Sequence, residues 1–479
     1  VGKTLWRDRL EPDQSHGSAL GEGTGASFSQ RQVSTSPWQR WLTQKNVPQS
    51  GEIASEILQI GAIDSLVVLR AIEQIIPMPL NHFYWENRQQ QRAILNFGSL
   101  QELVLQGENR FHQAQQFIDH WQEKIQGSMA APVPYFACGF TFFSTQTAEA
   151  PFPAGLVTIP RLQLVRHHQD YFLVLNGDRQ QRPLLHQLAQ QFHHFLKTLP
   201  PVLTPSTGIR GTVCTASMGF TAAVQRALQL IDQGKLSKIV LAHALDVTAN
   251  QAFDVVHALD NLRDRHPDCC IFSLRNQRGE TFIGASPERL LAVQKGELIT
   301  DALAGSAPRG NSPVTDLQLA QSLLQSEKEQ REHQAVTDFL VGQLKKLNLT
   351  PQAAPRTLLK LSNIQHLWTP ISAALPAQIH PLEVVAQLHP TPAVAGVPRA
   401  IACAEIRQAE AFDRTLYAAP LGWLDSQGNS EFIVAIRSAL IRGNHARLFG
   451  GAGIVAGSQP EREYAEVQLK LTSLLEALT

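Results

Sequence analysis

Residues 431–461 read EFIVAIRSALIRGNHARLFGGAGIVAGSQPE, and the fold turns on how that stretch is parsed. Glu431–Ile441 and Arg447–Val455 are rich in Ile, Val, Leu and Phe. Gly443-Asn444 between them is a turn pair, so the stretch predicts an antiparallel hairpin. Gly451, Gly453 and Gly457 resemble the spacing of a dinucleotide-binding loop, but the context is wrong. A strand precedes these glycines, yet no helix opens within them. Only 22 residues follow, too few for a second strand and its ribose-binding acid. Close-set glycines serve equally to let backbone N–H groups approach a carboxylate. Ser458-Gln459-Pro460-Glu461 has the form of a capping box with proline in the first turn, so a final helix is expected to start there.

Working back toward the N-terminus, the pattern stays sheet-rich. Lys238–Val247 reads as a strand. Cys270–Leu274 and Thr281–Ala285 read as strands around a turn at 276–279, and Leu290–Val293 and Glu297–Ala304 as a hairpin around Lys295-Gly296. Phe220–Gln233 is an amphipathic helix stopped by Gly234, and Leu317–Leu347 reads as one long helix. Few clean βαβ units are present, so the fold class is α+β, a large sheet-rich domain of antiparallel strands flanked by helices. Residues 37–214 are less sharply patterned. There Leu103–Ile125 reads as a helix, and Tyr171–Leu175 as a strand ending in a turn at Asn176-Gly177. Residues 1–36 are rich in Gly, Ser and Gln and read as a flexible tail. The chain thus divides into 1–36, 37–214 and 215–479, with the chemistry expected in the last part.

Composition narrows the function classes. The 41 Lys+Arg balance 41 Asp+Glu, which argues against nucleic acid or an anionic membrane as partner. No segment reaches the roughly 18 apolar residues of a membrane span. The five cysteines are odd in number and form no C-x-x-C, so neither a disulfide framework nor a zinc site is indicated, and a reducing cytoplasm fits. The His167-His168, His186 and His193-His194 clusters lack metal-ligand spacing.

Several polar residues sit where apolar ones are expected. Arg437 interrupts an apolar strand and needs an anionic partner, either an internal carboxylate or a ligand's. Glu332 falls on the apolar face of the long helix, seven residues before Phe339; it is either a solvated flank of that face or a carboxylate with a cation nearby. Glu463, Glu466 and Lys470 share one stripe of the last helix. Glu466 and Lys470 make an ordinary surface pair by spacing, yet glutamates on two helices can also hold a hard cation such as Mg²⁺. Lys238 opens a strand and Glu288 follows one. Each is a strand-end charge or, together, a general base and a general acid.

Read in order, KIVLAH (238–243), GASPERL (284–290), ALAGSAPRG (302–310), SEKEQREH (326–333), LHPTPAVAG (388–396), GW (422–423), EFIVAIR (431–437), LFGGAGIVAGS (448–458) and EYAEVQLKL (463–471) resemble the chorismate-utilising enzymes. That family includes isochorismate synthase, salicylate synthase, anthranilate synthase and aminodeoxychorismate synthase. The resemblance implies the fold of anthranilate synthase component I. It implies chorismate as substrate, Mg²⁺ as cofactor, Lys238 as the base that activates water and Glu288 as the acid that protonates the leaving hydroxyl. Glu332 and Glu466 would hold the metal, with Glu463 in support. Arg437 would take the enolpyruvyl carboxylate, Tyr417 would lie near that group, and Gly305, Ser306, Gly451 and Lys470 would help seat the carboxylates.

Within the family, water-using members carry Lys at position 238, whereas ammonia-using members typically carry another residue. A nucleophilic Lys typical of aminodeoxychorismate synthases is replaced here by Ala304. Ser306 also differs from the Thr common in salicylate synthases. The resemblance is therefore greatest to isochorismate synthase, with salicylate synthase as the alternative enzyme and a silent chorismate-binding protein as the alternative of another class. A monomer without an amidotransferase subunit is expected, supplying menaquinone or phylloquinone synthesis. His243 stands where Arg is common and faces away from Lys238 if the strand is regular.

Overall fold

The computed structural model describes residues 36–44, 51–76, 78–126, 135–203, 212–361 and 364–479. All but the last residue of the expected tail lie outside that set. Among the described residues the strands pair antiparallel, apart from a two-residue parallel contact of Ile53-Ala54 with Ile125-Gln126. The α+β reading holds, with helices packed on a large antiparallel sheet.

The sheet has two arms. One runs from Val213–Ala216 through Lys238–Thr248, His445–Val455, Ser438–Arg442, Thr281–Ser286, Cys270–Arg275, His82–Asn87 and Arg92–Leu105 to Gly155–His167. The other runs from Phe136–Phe140 through Pro420–Leu424, Ser430–Val434, Arg289–Gln294 and Glu297–Pro308 to Ile364–Ala374. The chain passes from one arm to the other at Pro287–Glu288 and again at Ala435–Arg437. The two crossings lie side by side, because Val434 N–H donates to the Glu288 carbonyl (3.0 Å) and Ala285 N–H to the Arg437 carbonyl (3.1 Å).

That second crossing corrects the expectation of one strand over Glu431–Ile441. The stretch is two strands, Ser430–Val434 and Ser438–Arg442, and Arg437 between them has φ of 49°. Apolar residues on both sides of Arg437 give no sign of a bend that is decided by which arm each half pairs with. The hairpin predicted beyond it is present, as Ser438–Arg442 with His445–Val455.

Other differences have local causes. The long helix is two helices, Pro313–Gln325 and Glu327–Lys346. Ser326 separates them in an extended conformation, and its hydroxyl accepts from Glu329 N–H at 3.4 Å. Conversely, the capping box expected at Ser458 does not form. The final helix Pro460–Leu478 has Gln459 at its cap, while Ser458 Oγ accepts from Val455 N–H and its hydroxyl serves the Glu463 carboxylate. The helix expected over Leu103–Ile125 is only Arg110–Gln122, since Leu103 and Leu105 continue a strand paired with Val157 and Gly155. Asn176-Gly177 is not a turn. Both lie in the strand Asp170–Asp178, where buried Asn176 accepts from Ser55 Oγ at 2.7 Å and donates to the Pro160 carbonyl at 2.9 Å.

Candidate active site

Lys238 heads its strand, and its side chain runs past Gly453 of the neighbouring strand. A Cβ on Gly453 would stand 3.3 Å from Lys238 Cε and 3.4 Å from Glu332 Oε1, so the bare backbone leaves the lane in which those two side chains pair. Lys238 Nζ donates to Glu332 Oε1 at 2.6 Å, and both side chains are largely buried. Burial by itself would raise the Glu332 carboxyl, but the Lys238 ammonium outweighs it and the net shift is downward. Gly451 plays the matching part for Tyr417, since a Cβ there would lie 2.8 Å from the phenol oxygen. Tyr417 is stacked on Phe449, with centroids 5.2 Å apart, and burial pushes its hydroxyl up.

Glu288, on the first crossing, is 7% exposed. Burial raises its carboxyl to about 7; the Lys238 charge opposes the shift and Asp301 adds to it. A carboxylic acid with that value still holds its proton over much of the neutral range. Arg437, on the second crossing, points its guanidinium at Cys269 Sγ (3.8 Å), and no carboxylate among the described residues is in salt-bridge contact with it. Of the two readings of Arg437, the internal ion pair is therefore absent among the described residues.

These groups line one cavity of about 160 Å³ together with Gly305, Ser306, Gly451, Tyr417, Glu466 and Lys470. Every candidate residue from the sequence faces it except Glu463, which lies a turn before Glu466 on the same helix and is 8% exposed. Lys470 Nζ donates to Glu466 Oε1 (2.7 Å) and to the Gly451 carbonyl (2.9 Å), so the last helix is tied to the glycine strand. Larger cavities exist, one of about 360 Å³ beside Asn81, Phe152 and Leu274. Volume does not single out the site; the gathering of ionisable groups does.

Two residues escaped the sequence reading. Glu329 lies one turn before Glu332, and its carboxyl is raised by burial and then by the Glu332 charge, while the Ser306 N–H bonds to it. Glu463 is likewise raised by burial and further by Glu466. Two helices thus bring two E-x-x-E pairs together, and the repeated spacing, 329/332 and 463/466, was the available signal. His366 is the other. Its ring hydrogen-bonds the backbone of Gly305, and burial holds it down at about 3, so it is neutral. Gly305 itself has φ of 77° at a bulge between Ala304 and Ser306. His333 fixes that bulge from the helix side, with Nδ1 3.2 Å from the Ala304 carbonyl and Nε2 2.8 Å from Thr369 Oγ1. His243 faces away from the cavity as the strand parity requires, with Nδ1 2.8 Å from Ser217 Oγ and its ring against Tyr464.

Among the described residues no group of three or more ligands is closed around a metal position, and Glu332 and Glu466 are each paired with a lysine. The donor set nevertheless suits a hard divalent cation: four carboxylates on two helices, near enough to shift one another.

Fold, cavity and charges together define a class of protein. The chain matches the model of the chorismate binding enzymes over residues 39–479, and it belongs to that family. It is similar to the salicylate biosynthesis isochorismate synthase of Pseudomonas aeruginosa, 34% identical over 462 residues, covering 90% of this chain and 94% of the relative. The isochorismate synthase MenF of Bacillus subtilis is 31% identical over 83% of this chain and 88% of its own length. Among solved structures, MenF, the menaquinone-specific isochorismate synthase from Escherichia coli, superposes with a TM-score of 0.76 at 28% identity, covering 92% of this chain and 97% of that one.

Proposed function

We propose that this protein is an isochorismate synthase, adding water at C2 of chorismate as the C4 hydroxyl leaves. The observation that carries the proposal is a single cavity holding a buried lysine, a buried glutamic acid that keeps its proton to about 7, and an arginine with no carboxylate against it among the described residues. Lys238 acts in its neutral amine form, taking a proton from water as the water oxygen bonds to C2. The ring double bonds shift, the C4–O bond breaks, and Glu288 delivers its proton to the departing oxygen. Atoms balance: one water enters and one leaves. Arg437 suits the enolpyruvyl carboxylate through its forked donors, and Tyr417 closes that end.

Glu332 and Glu466 would hold Mg²⁺, with Glu463 and Glu329 beside them. The cation, when bound, supplies Lewis-acid polarisation of the ring carboxylate. The gathered carboxylates support this assignment, as they are the hard oxygen donors that Mg²⁺ prefers. The neutral His366 beside Gly305 adds a half-buried polar group without adding charge.

The test is incubation of the purified protein with chorismate, with and without Mg²⁺ and with excess chelator. Isochorismate without pyruvate is expected, and only with the metal. Salicylate with equimolar pyruvate would make it a salicylate synthase, and no turnover would make it a silent binder. We extend the proposal to naphthoquinone supply from a cytoplasmic monomer. The menaquinone-specific isochorismate synthase MenF of Escherichia coli supports the pathway, and the five free thiols suit a reducing compartment. Among the described residues no helix is long and apolar enough to cross a membrane. Deleting the gene should lower menaquinone or phylloquinone; light scattering at the monomer mass tests the rest.

A further inference from the structure

The active-site cavity adjoins a second chamber of about 400 Å³. The two share Ser306, Ile364, Arg437, Glu466 and Lys470, and the outer chamber adds walls from Ala307, Pro308, Ala465, Leu469 and Leu474. Those walls are apolar, which a small, strongly polar substrate does not need. Leu469 is 72% exposed at this position, with its side chain on the outer chamber.

The charges bordering the chamber specify what could occupy it. Lys470 is already engaged by Glu466 and by the Gly451 carbonyl. His266, which lines the chamber and is 5% exposed, is held neutral: burial, then the Arg437 and Arg265 charges, bring its ring down to about 4. Arg437 is the cation that no carboxylate among the described residues compensates, and it meets the thiol of Cys269 instead. Glu466 and Lys470 answer each other at the wall. One cation with no carboxylate partner among the described residues, one closed ion pair and apolar walls suit a monoanion with a flat apolar body.

We infer that the outer chamber is a binding site for small aromatic monocarboxylates, whose carboxylate takes Arg437 and whose ring lies against Leu469, Ala465 and Pro308. Occupancy there excludes the substrate's use of Arg437, so such a molecule inhibits competitively. The inference rests on the proposed role of Arg437 toward chorismate only for this competition; binding itself does not require turnover. It has a chemical rationale as well, since loss of the enolpyruvyl group and aromatisation of the expected product generate this class of molecule. The site would then let a downstream aromatic acid restrain its own supply.

The probe is biphenyl-4-carboxylate, followed by calorimetry without chorismate and by inhibition kinetics with it. Binding below millimolar concentration, competitive against chorismate, is expected. The uncharged biphenyl-4-carboxamide should bind at least about tenfold more weakly, the loss of one charge-assisted contact. Leu469→Asn, an exposed position outside the catalytic set, should weaken the probe at least about threefold by removing apolar contact while KM for chorismate stays within about twofold. Equal binding of acid and amide, or a Leu469→Asn protein that binds the probe as tightly as the parent, overturns the inference. If chorismate is not turned over but the acid still binds with these dependences, the proposed function falls and the chamber assignment stands.

Discussion

Two lysine–glutamate sets occupy one cavity, and their surroundings separate them. At its buried end Lys238 and Glu288 are 4% and 7% exposed; at its edge the Lys470 and Glu466 side chains are 35% and 45% exposed. Water and salt damp the interaction at the edge, where a helical pair of this spacing contributes about 0.2–0.5 kcal/mol. At the buried end each charge must be answered locally. Lys238 is answered by Glu332, and Glu288, facing a lysine it does not bond, stays protonated to about 7. The same side-chain chemistry therefore suits proton transfer in one place and charge-holding in the other. What differs is how much water each pair retains.

The largest effect should come from the buried end. Lys238→Ala should lower kcat by about 10³-fold or more, the upper part of the range for a general base. Isochorismate formation near the parent rate in that variant would remove Lys238 from the mechanism. The acid should show itself in the pH profile. Above about 7 the Glu288 proton is lost, so kcat/KM should fall roughly tenfold per pH unit, and Glu288→Gln should be slow and lack this limb.

Stability tests the same burial. The folded value of Glu288, about 7, lies above the ordinary 4.5, so its contribution is fully present below 4.5 and lost as pH rises through 7. At pH 9 Glu288→Gln should accordingly be more stable than the parent by up to about 3 kcal/mol in urea unfolding, with the gain vanishing at pH 4. A pH-independent difference would mean the carboxyl is not shifted by burial.

Arg437 lies between the two regimes, half-buried and facing both chambers. Arg437→Gln should raise KM for chorismate by about 10–100-fold with a smaller change in kcat, as expected of an interaction made in both ground and transition states. A kcat loss with unchanged KM would reassign it. The smallest effect should be at the glycine strand. A Cβ at Gly451 meets the Tyr417 oxygen at 2.8 Å, so Gly451→Ala should cost about 1–3 kcal/mol of stability. Combining it with Tyr417→Phe should recover part of that loss, and strictly additive losses would mean the two do not collide.

The legible part of this protein was the part written in short spacings. The Lys238 strand, the Gly443-Asn444 hairpin and the final helix follow from apolar periodicity and turn chemistry, which act over a few residues. The residue types at the candidate site were also readable, because a charge in an apolar stretch is conspicuous: Arg437 in EFIVAIR and Glu332 on a helix face. The errors fell where two segments far apart in sequence decide the outcome. S-x-x-E at 458–461 promised a cap that went instead to a Glu463 contact. Ser326, unremarked within a long periodic run, split the helix and freed Glu329 to meet Ser306.

By itself, then, the amino-acid order determined an antiparallel α+β chain and the kinds of group its site contains. Only the tertiary structure decided that Glu431–Ile441 bends at Arg437, that Lys238 bonds Glu332 while Glu288 stays protonated, and that an apolar chamber adjoins the cations. The reason is physical. Backbone propensity and side-chain character are local, but burial, and with it the strength of every charge in the site, exists only once strands about two hundred residues apart have closed over it.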